Sequence, residues 1–253
     1  MFEYNTEELE HAYQLIYKDV KKEGVPQKKN CVFFVGGQPG AGKTNFHSQD
    51  NILDQYISID GDRYRKYHPH YSEICHTNLK DMATITQDFV NYCVERLIRD
   101  LSDESYNLII EGTLRESSVT INTCNYLKNK GYTTYLYVIA TPAITSWESC
   151  LNRAKLLSEL GEIPRMVPFD KYDYIVNQIS DNLEKIEKQN CFDYIKVIDR
   201  NNKILYPNCD KLTASQVLSG ILDLDFWNKK YNNVMQDPQV KNQSGLIRKR
   251  KGR

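Results

Sequence analysis

The segment Gly37–Thr44 constrains the fold of this chain more than any other stretch of the sequence. It reads GQPGAGKT and satisfies the pattern G-x-x-x-x-G-K-[ST] in full, directly after the apolar run CVFFV at 31–35. A short apolar run that ends in glycines is typical of a buried parallel strand. Between a strand and a helix, such a loop surrounds phosphate oxygens with backbone N–H groups, and the helix N-terminus favours their negative charge. We therefore predict a nucleotide phosphate loop made of Gly37, Gln38, Pro39, Gly40, Ala41, Gly42, Lys43 and Thr44.

Four further apolar runs resemble the first and are separated by stretches long enough for a helix. The runs lie at 56–60, 106–111, 132–140 and 194–198. The stretches expected to be helical lie at 78–101, 119–129, 142–160 and 172–188. Strands that alternate with helices imply crossover connections and a parallel sheet. We predict a P-loop kinase-like α/β fold, with three α/β/α layers, a central, mostly parallel sheet and a C-terminal helical extension.

The chain is predicted to form a single domain over residues 1–235. An amphipathic helix is expected at 5–23, the core at 30–205 and a C-terminal helix at about 213–230. Residues 236–253 are polar, end in the basic sequence IRKRKGR and are expected to be disordered.

The composition argues against several classes of protein. Lys and Arg number 33 and Asp and Glu also number 33, whereas an extended nucleic-acid surface needs accumulated positive charge. Seven cysteines without a CxxC pair argue against a zinc site or a disulfide framework. The N-terminus does not have the pattern of a signal peptide, and no apolar run approaches the roughly 18 residues of a membrane span. We therefore expect a cytoplasmic protein without membrane contact.

Polar residues follow the ends of three predicted strands, where the ligands of open parallel sheets collect. After the second strand, Asp62 could take the proton of an attacking hydroxyl, but a capping role or a turn built on Gly61 explains it equally well. The third strand ends at Glu111, a position typical of a carboxylate that holds Mg²⁺ or its water shell. Thr113 and Arg115 follow, and we expect them to project into the same crevice.

Two arginines follow the fourth strand. Arg153 lies on a predicted helix, and Arg165 lies in the connection 161–168. Together they could clamp a phosphoryl group as it gains charge, although isolated arginines are usually solvated.

The phosphate loop and these clusters, in this order, resemble the zeta toxins of epsilon/zeta toxin–antitoxin systems, a family of P-loop small-molecule kinases. The resemblance spans roughly residues 30–205 and is carried by GGQPGAGKT, YISIDGDRYRKYHP, ERLIRDLSDESYNLIIEGTLR, ATPAITSWESCLNR and IPRMVPFDKYDYIV. It implies ATP-dependent phosphorylation of UDP-N-acetylglucosamine at the 3′-hydroxyl of the amino sugar, which inhibits cell-wall synthesis. It also implies a small epsilon-like antitoxin, expected on a separate chain, that blocks the ATP site.

The resemblance further implies roles for residues at matching positions. These are Lys43 and Thr44 for ATP and Mg²⁺, Asp62 as general base, Glu95, Thr113 and Arg115 for the substrate, and Arg153 and Arg165 for the ATP phosphates. Without the resemblance, Glu95 has the pattern of a solvated charge on a helix face.

Two departures from the family leave other functions open. We expect residues after about 210 to have no counterpart in the family, and the segment 71–91, expected to shape the sugar pocket, matches only loosely. A P-loop kinase of another metabolite, nucleotide or polynucleotide is one alternative. The basic tail could favour RNA, but we interpret a basic run at the terminus as a solvated segment. The other is a non-catalytic NTP-binding module, but acidic and basic residues at three strand ends are costly to keep in one cleft without a ligand.

Overall fold

The computed structural model describes residues 2–48, 55–164, 167–208 and 211–235. Within these residues six strands form one sheet, at β1 Cys31–Gly36, β2 Ile57–Ile59, β3 Leu108–Gly112, β4 Thr133–Ile139, β5 Tyr194–Ile198 and β6 Ile204–Tyr206. Their order across the sheet is β2-β3-β1-β4-β5-β6, and β6 runs antiparallel to β5 while the other pairs are parallel. The predicted P-loop kinase-like α/β fold with a central, mostly parallel sheet is confirmed.

The five predicted strands are all present, with ends that differ by at most two residues from the apolar runs. The sequence pattern missed β6, because a three-residue strand is too short for its alternation to be recognised.

The described helices accompany the strands in the expected alternation. They are α1 Thr6–Val20, α2 Gly61–Tyr64, α3 Tyr71–Thr77, α4 Met82–Ile85, α5 Gln87–Asp103, α6 Ser117–Asn129, α7 Ala143–Glu159, α8 Phe169–Gln189, α9 Ala214–Leu222 and α10 Leu224–Met235.

Helix α1 begins at a complete capping box. Glu8 N donates to Asn5 Oδ1 at 3.0 Å, and Asn5 N donates to Glu8 Oε2 at 2.9 Å. Two backbone N–H groups that would otherwise lack partners are satisfied in this way. The face that carries Tyr13 and Ile16 is buried, so the predicted amphipathic helix is present.

The single helix expected at 78–101 is divided in the structure. A 3₁₀ turn at Leu79–Asp81 and the short α4 precede α5, which begins at Gln87. The break falls at Thr86, whose buried hydroxyl donates to Met82 O at 2.8 Å and accepts from Arg65 Nη1 at 2.7 Å. Hydroxyl side chains compete with the helical backbone for hydrogen bonds in this way.

The predicted C-terminal helix at about 213–230 is also two helices. Asp223 adopts a left-handed conformation with φ 52° and separates α9 from α10. The predicted tail, 236–253, lies outside the described residues.

Helices α1, α5, α6, α8 and α9 pack against one face of the sheet. Val32 and Phe34 of β1 belong to a large hydrophobic cluster with buried residues of α1, α5, α6, α8 and α9. The alternate residues Phe33 and Val35 point to the opposite face, where a smaller cluster includes Phe46. No helix within the described part of the chain is long and apolar enough to cross a membrane.

Candidate active site

The sheet topology brings the predicted site segments to one edge. The strands β2, β3, β1, β4 and β5 are neighbours and parallel, so their carboxyl ends lie side by side. In register, Val35 lies beside Glu111, and Ile59 lies beside Ile110. The phosphate loop (Gly37–Thr44) therefore emerges next to Glu111, and Asp60 follows on the strand beyond it. This is the edge at which open parallel sheets bind ligands.

The phosphate loop needs glycine at positions 40 and 42. Gly40 has φ +74°, and a Cβ there would lie 2.1 Å from Ser146 O on α7. Gly42 has φ +98°, and a Cβ there would lie 3.2 Å from Arg200 Cγ. Both residues have backbone conformations that L side chains rarely adopt. The loop is thus packed closely between α7 and the turn that follows β5.

Lys43 lies inside the loop and contacts its backbone. Its ammonium donates to Gly37 O at 2.8 Å and to Gln38 O at 3.4 Å. Burial lowers the pKa of Lys43, while the negative charges of Glu111, Asp60 and Asp62 raise it and the positive charge of Arg153 lowers it further.

These influences show that the predicted phosphate, base and metal residues share one electrostatic environment. A charge that is removed from water and close to several carboxylates is a frequent feature of functional sites.

The segment after the loop is a 3₁₀ helix, Lys43–Ser48, in place of the expected α-helix. Its start is marked by a hydrogen bond from Asn45 N to Gly42 O at 3.1 Å. Thr44 is exposed at the beginning of this segment. Residues 49–54 lie outside the described part of the chain.

The Gln38 side chain packs into the protein. It is fully buried, and its Nε2 donates to Thr141 O at 2.7 Å and to Ser146 Oγ at 3.1 Å. Its side chain ties the loop to the end of β4 and to α7, which leaves the backbone of Gln38 as the part available to a ligand.

The sequence left two interpretations open for Asp62, a helix cap or a proton acceptor. Asp60 caps the short helix α2, because its Oδ1 accepts a hydrogen bond from Asp62 N at 3.0 Å. The Asp62 side chain is half exposed and contacts Arg65, whose Nε lies 2.8 Å from Asp62 Oδ1. The capping role thus falls to Asp60, and the Asp62 carboxylate remains accessible at the surface.

Arg65 holds Asp62 against the break between α4 and α5. Its side chain is only 12% exposed. Its Nη1 donates to Ala83 O at 2.9 Å and its Nη2 to Gln87 Oε1 at 3.1 Å. The guanidinium therefore links Asp62 to the segment 71–91, in which we expected the substrate pocket.

The loop after β3 has a strained turn at Leu114, which is buried and has φ 52°. Thr113 before it is half-buried, and Arg115 after it is exposed and lies 3.5 Å from the Glu116 carboxylate. Buried Asn182 of α8 donates to Leu114 O at 3.0 Å and to Arg115 O at 2.7 Å.

Two further predicted residues, Arg153 and Glu95, lie on helices α7 and α5. Arg153 is exposed on α7 and lines a cavity of about 490 Å³ together with Tyr71 and residues 161–163. Glu95 is exposed on α5, the helix that packs against α2, since a Cβ at Gly61 would lie 2.7 Å from Val90 Cγ1. Arg165 lies outside the described residues.

The donors available for Mg²⁺ fit a metal that arrives with a nucleotide. Thr44 and Glu111 provide oxygen ligands, which Mg²⁺ prefers. The described part of the chain contains no group of three His, Cys, Asp or Glu residues that could hold a metal ion. Protein sites for Mg²⁺ commonly use one or two protein oxygens together with substrate phosphates and water, so these two residues suit a nucleotide-bound metal.

Sequence reasoning missed two residues that organise this site, Asn182 and Arg200. Arg200, in the turn after β5, donates from Nε to Ala41 O at 3.2 Å and from Nη2 to Gly40 O. Both residues are distant in sequence from the loops that they contact, and neither belongs to a recognisable local motif. A three-dimensional arrangement is needed to find them.

Comparisons with known proteins agree with this architecture. A family model described as zeta toxin matches residues 16–210. Toxin PezT of Streptococcus pneumoniae serotype 4 is 34% identical over 238 residues, which cover 92% of this chain and 94% of the relative. Toxin zeta of Streptococcus pyogenes is 34% identical over 186 residues, which cover 72% of this chain and 65% of the relative.

The fold is also similar to that of a solved structure. A chain described in work on the PezAT chromosomal toxin–antitoxin system of Streptococcus pneumoniae has a TM-score of 0.77 and 32% sequence identity, over 93% of this chain and 99% of that chain. The chain described here belongs to the zeta toxin family.

Proposed function

We propose that this protein is a kinase that transfers the γ-phosphoryl group of ATP to the 3′-hydroxyl of the amino sugar in UDP-N-acetylglucosamine. In this proposal it is the toxin of a toxin–antitoxin pair and inhibits cell-wall synthesis. The observation that carries the proposal is the clustering of charge around Lys43, which lies within the influence of Glu111, Asp60, Asp62 and Arg153.

The charges suit the demands of phosphoryl transfer, which depends mainly on alignment and on compensation of negative charge. The Lys43 ammonium donates to Gly37 O. Phosphate oxygens are stronger acceptors than a backbone carbonyl, so we expect the ammonium to exchange this contact for the β- and γ-phosphates. Arg153, and Arg165 by the family resemblance, would contact the same phosphates.

Asp62 is the proposed general base. In the reaction, the acceptor oxygen forms a bond to the γ-phosphorus while the bond from that phosphorus to the β,γ-bridging oxygen breaks, and ADP leaves. The proton of the acceptor hydroxyl passes to the Asp62 carboxylate. Arg65 Nε contacts Oδ1 of this carboxylate, which fixes its orientation. Most of the benefit of such a base comes from position and from a carboxylate available at neutral pH.

Mg²⁺ is the implied cofactor, with Thr44 and Glu111 as its proposed protein contacts. When bound, it would neutralise charge on the phosphate oxygens. Glu95, Thr113 and Arg115 are the proposed contacts for the sugar nucleotide. Their assignment rests on the family resemblance, and Thr113 and Arg115 also follow β3, whose carboxyl end lies beside the phosphate loop.

The proposed partner is a small antitoxin that covers the ATP site. Its support is the relation to the PezAT system, which is described as a toxin–antitoxin system. Co-purification from the native operon tests this part of the proposal, and the absence of a co-purifying small protein would contradict it.

The activity is tested in three separate reactions, each with γ-labelled ATP and one acceptor: UDP-N-acetylglucosamine, a nucleoside mixture or a short RNA. We expect label on UDP-N-acetylglucosamine. Label on another acceptor would show that this acceptor is the substrate. Label in free phosphate alone would show that the protein is an NTP-hydrolysing module and not a kinase. A Lys43→Ala variant is the control, because label that persists without the loop lysine would come from a contaminating enzyme.

A further inference from the structure

The structure assigns a new role to Arg200, which is remote in sequence from the phosphate loop. Its Nη2 donates to Gly40 O and, at 2.8 Å, to Ser149 Oγ of α7. Its Nε donates to Ala41 O at 3.2 Å and to Thr141 Oγ1 at 3.3 Å. One guanidinium therefore contacts two consecutive carbonyls of the loop, the end of β4 and a neighbouring helix.

A phosphate loop binds anions because its N–H groups point toward the ligand. The carbonyls of the same peptide groups must then point elsewhere, and each needs a donor when it is removed from water. Arginine has five N–H donors in a fixed plane and no acceptor. Arg200 thus satisfies Gly40 O and Ala41 O. The N–H of the Gly40–Ala41 peptide donates to Gln38 O at 3.1 Å, so at Gly40 the arginine fixes this turn, and at Ala41 it favours the orientation in which the carbonyl points away from a bound phosphate.

The stem of Arg200 also contacts the loop. Its Cγ lies 3.2 Å from the position that a Cβ would have at Gly42. The arginine stem therefore packs closely over Gly42, and a side chain there would have to displace it. Thr141 Oγ1, itself a partner of Arg200, donates to Ala41 O at 2.8 Å, so the Ala41 carbonyl is held from two sides.

Arg200 lies in a hydrogen-bonded turn between β5 and β6. Asp199 Oδ1 accepts from Asn201 N at 2.8 Å and from Lys203 N at 2.9 Å. Asp199 N also donates to Lys203 O at 3.0 Å. A side chain whose backbone is fixed in this way loses less entropy when it holds a partner.

We propose that Arg200 is a positioning residue that holds the phosphate loop in its binding conformation before a nucleotide arrives. The role concerns the phosphates and does not require contact between Arg200 and the base or sugar. It rests on nucleotide binding at the loop, which is part of the proposed function, but it is independent of the acceptor.

The test compares wild type with Arg200→Gln and with Asn201→Ala. Asn201 is an exposed neighbour in the same turn that contributes a backbone contact there. The affinities for ATP and for inorganic tripolyphosphate are measured by competition against a fluorescent ATP analogue, with Mg²⁺ present. We expect Arg200→Gln to weaken both ligands by the same factor, about tenfold, which corresponds to about 1.4 kcal/mol. We expect Asn201→Ala to bind both ligands as wild type does.

Several outcomes would overturn the proposal. Unchanged affinity in a folded Arg200→Gln protein that only melts at a lower temperature would reduce Arg200 to a structural role. Weaker ATP binding with unchanged tripolyphosphate binding would show a direct contact with the nucleoside. If Arg200→Gln does not fold, Arg200→Lys serves in its place, because an ammonium cannot span both carbonyls, and wild-type affinity in that variant overturns the proposal equally. Failure of the wild-type protein to bind ATP would instead refute the proposed function.

Discussion

Asp60 and Asp62 lie two residues apart but have different surroundings. Asp60 accepts a hydrogen bond from Asp62 N of α2, whereas the Asp62 carboxylate is half exposed and contacts Arg65. A capping carboxylate is already committed to the backbone, while an accessible one can meet a substrate hydroxyl. At the scale of single residues, this difference is what distinguishes the proposed base from its neighbour.

Replacing the proposed base or the loop lysine should abolish transfer and leave the fold intact. For Asp62→Ala we expect kcat to fall at least about 100-fold, as for the loss of a general base, with little change in ATP affinity. For Lys43→Ala we expect ATP affinity and turnover to fall together. The labelled-ATP assay measures turnover, and circular dichroism checks that both variants are folded.

The matched control for these variants is Asp225→Asn, an exposed carboxylate on α10. It removes the same charge far along the chain from the phosphate loop and should retain wild-type turnover. Substantial phosphorylation of UDP-N-acetylglucosamine by Asp62→Ala would contradict the assignment of the base.

The sequence could predict residues whose role depends on local backbone, and it could not predict those that act across the fold. Lys43 and Thr44 follow from a contiguous motif, because the loop builds its own binding surface. Arg200 contacts Gly40, which lies 160 residues earlier in the chain. No periodicity or spacing marks such a contact, so the structure was needed to find it.

At the scale of elements, the loop after β3 depends on a helix that is remote in sequence. Leu114 has φ 52°, a conformation that costs a non-glycine residue of order 1 kcal/mol or more. The Asn182 amide of α8 stabilises this turn through the carbonyls of Leu114 and Arg115. Helix α8 therefore positions the backbone from which Arg115 extends.

Asn182→Ala should destabilise the protein and impair transfer. Two carbonyls lose a buried donor, which costs about 1–3 kcal/mol. Because the same bonds hold the Arg115 backbone, we expect kcat to fall as well. Urea denaturation and the labelled-ATP assay measure the two effects. Asn177→Ala is the control, since that amide bonds within α8 to Asp173 O at 2.9 Å, and equal losses in both variants would contradict the role of Asn182.

The turn that joins α2 to α3 contains a buried histidine, His68. It is 3% exposed, its ring centroid lies 5.2 Å from that of Phe89, and its Nδ1 accepts from His70 N at 3.1 Å. Burial, followed by the charge of His70, lowers the pKa of His68 below its ordinary value. The folded protein therefore keeps this ring neutral at pH values at which the unfolded chain protonates it.

We expect the free energy of unfolding to decrease as pH falls through the ordinary histidine range near about 6.5. The unfolded state binds more protons there, so acid favours unfolding. Urea denaturation at about pH 7.5 and about pH 5.5 measures the change. His68→Gln should reduce this pH dependence, and His11→Gln, at an exposed position on α1, should not. Equal pH dependence in wild type and His68→Gln would contradict the interpretation.

Element boundaries show why sequence patterns were less informative between the strands. The apolar runs located five strands because each is buried and continuous. The break at Thr86 depends on Arg65, a partner 21 residues away, and the left-handed Asp223 divides a segment whose periodicity looked continuous. Helical periodicity reports a buried face, and it does not report where a tertiary contact interrupts the helix.

At the scale of the whole molecule, the C-terminal extension is packed on the same body as the proposed active site. Trp227 of α10 is fully buried, and its Nε1 donates to Asp173 Oδ1 of α8 at 2.8 Å. Its ring lies 5.1 Å from Tyr172 and 6.4 Å from Trp147 of α7, measured between centroids. Helix α7 also carries Arg153, so the extension supports a helix of the proposed site.

This packing predicts that the extension and the rest of the domain unfold together. Trp227→Ala should lower the free energy of unfolding by about 3–5 kcal/mol, as for other buried tryptophans. Phe226→Ala, at a neighbouring side chain that is 51% exposed, should change it by less than about 0.5 kcal/mol.

Urea denaturation followed by far-ultraviolet and near-ultraviolet circular dichroism measures both variants and tests cooperativity. Coincident transitions that move together in Trp227→Ala are expected if α10 belongs to the single predicted domain, since a two-state unit loses all its structure at once. A separate early transition, with an unchanged main midpoint, would show instead that α10 folds independently of the sheet. In that case Arg153 would not depend on the extension for its position.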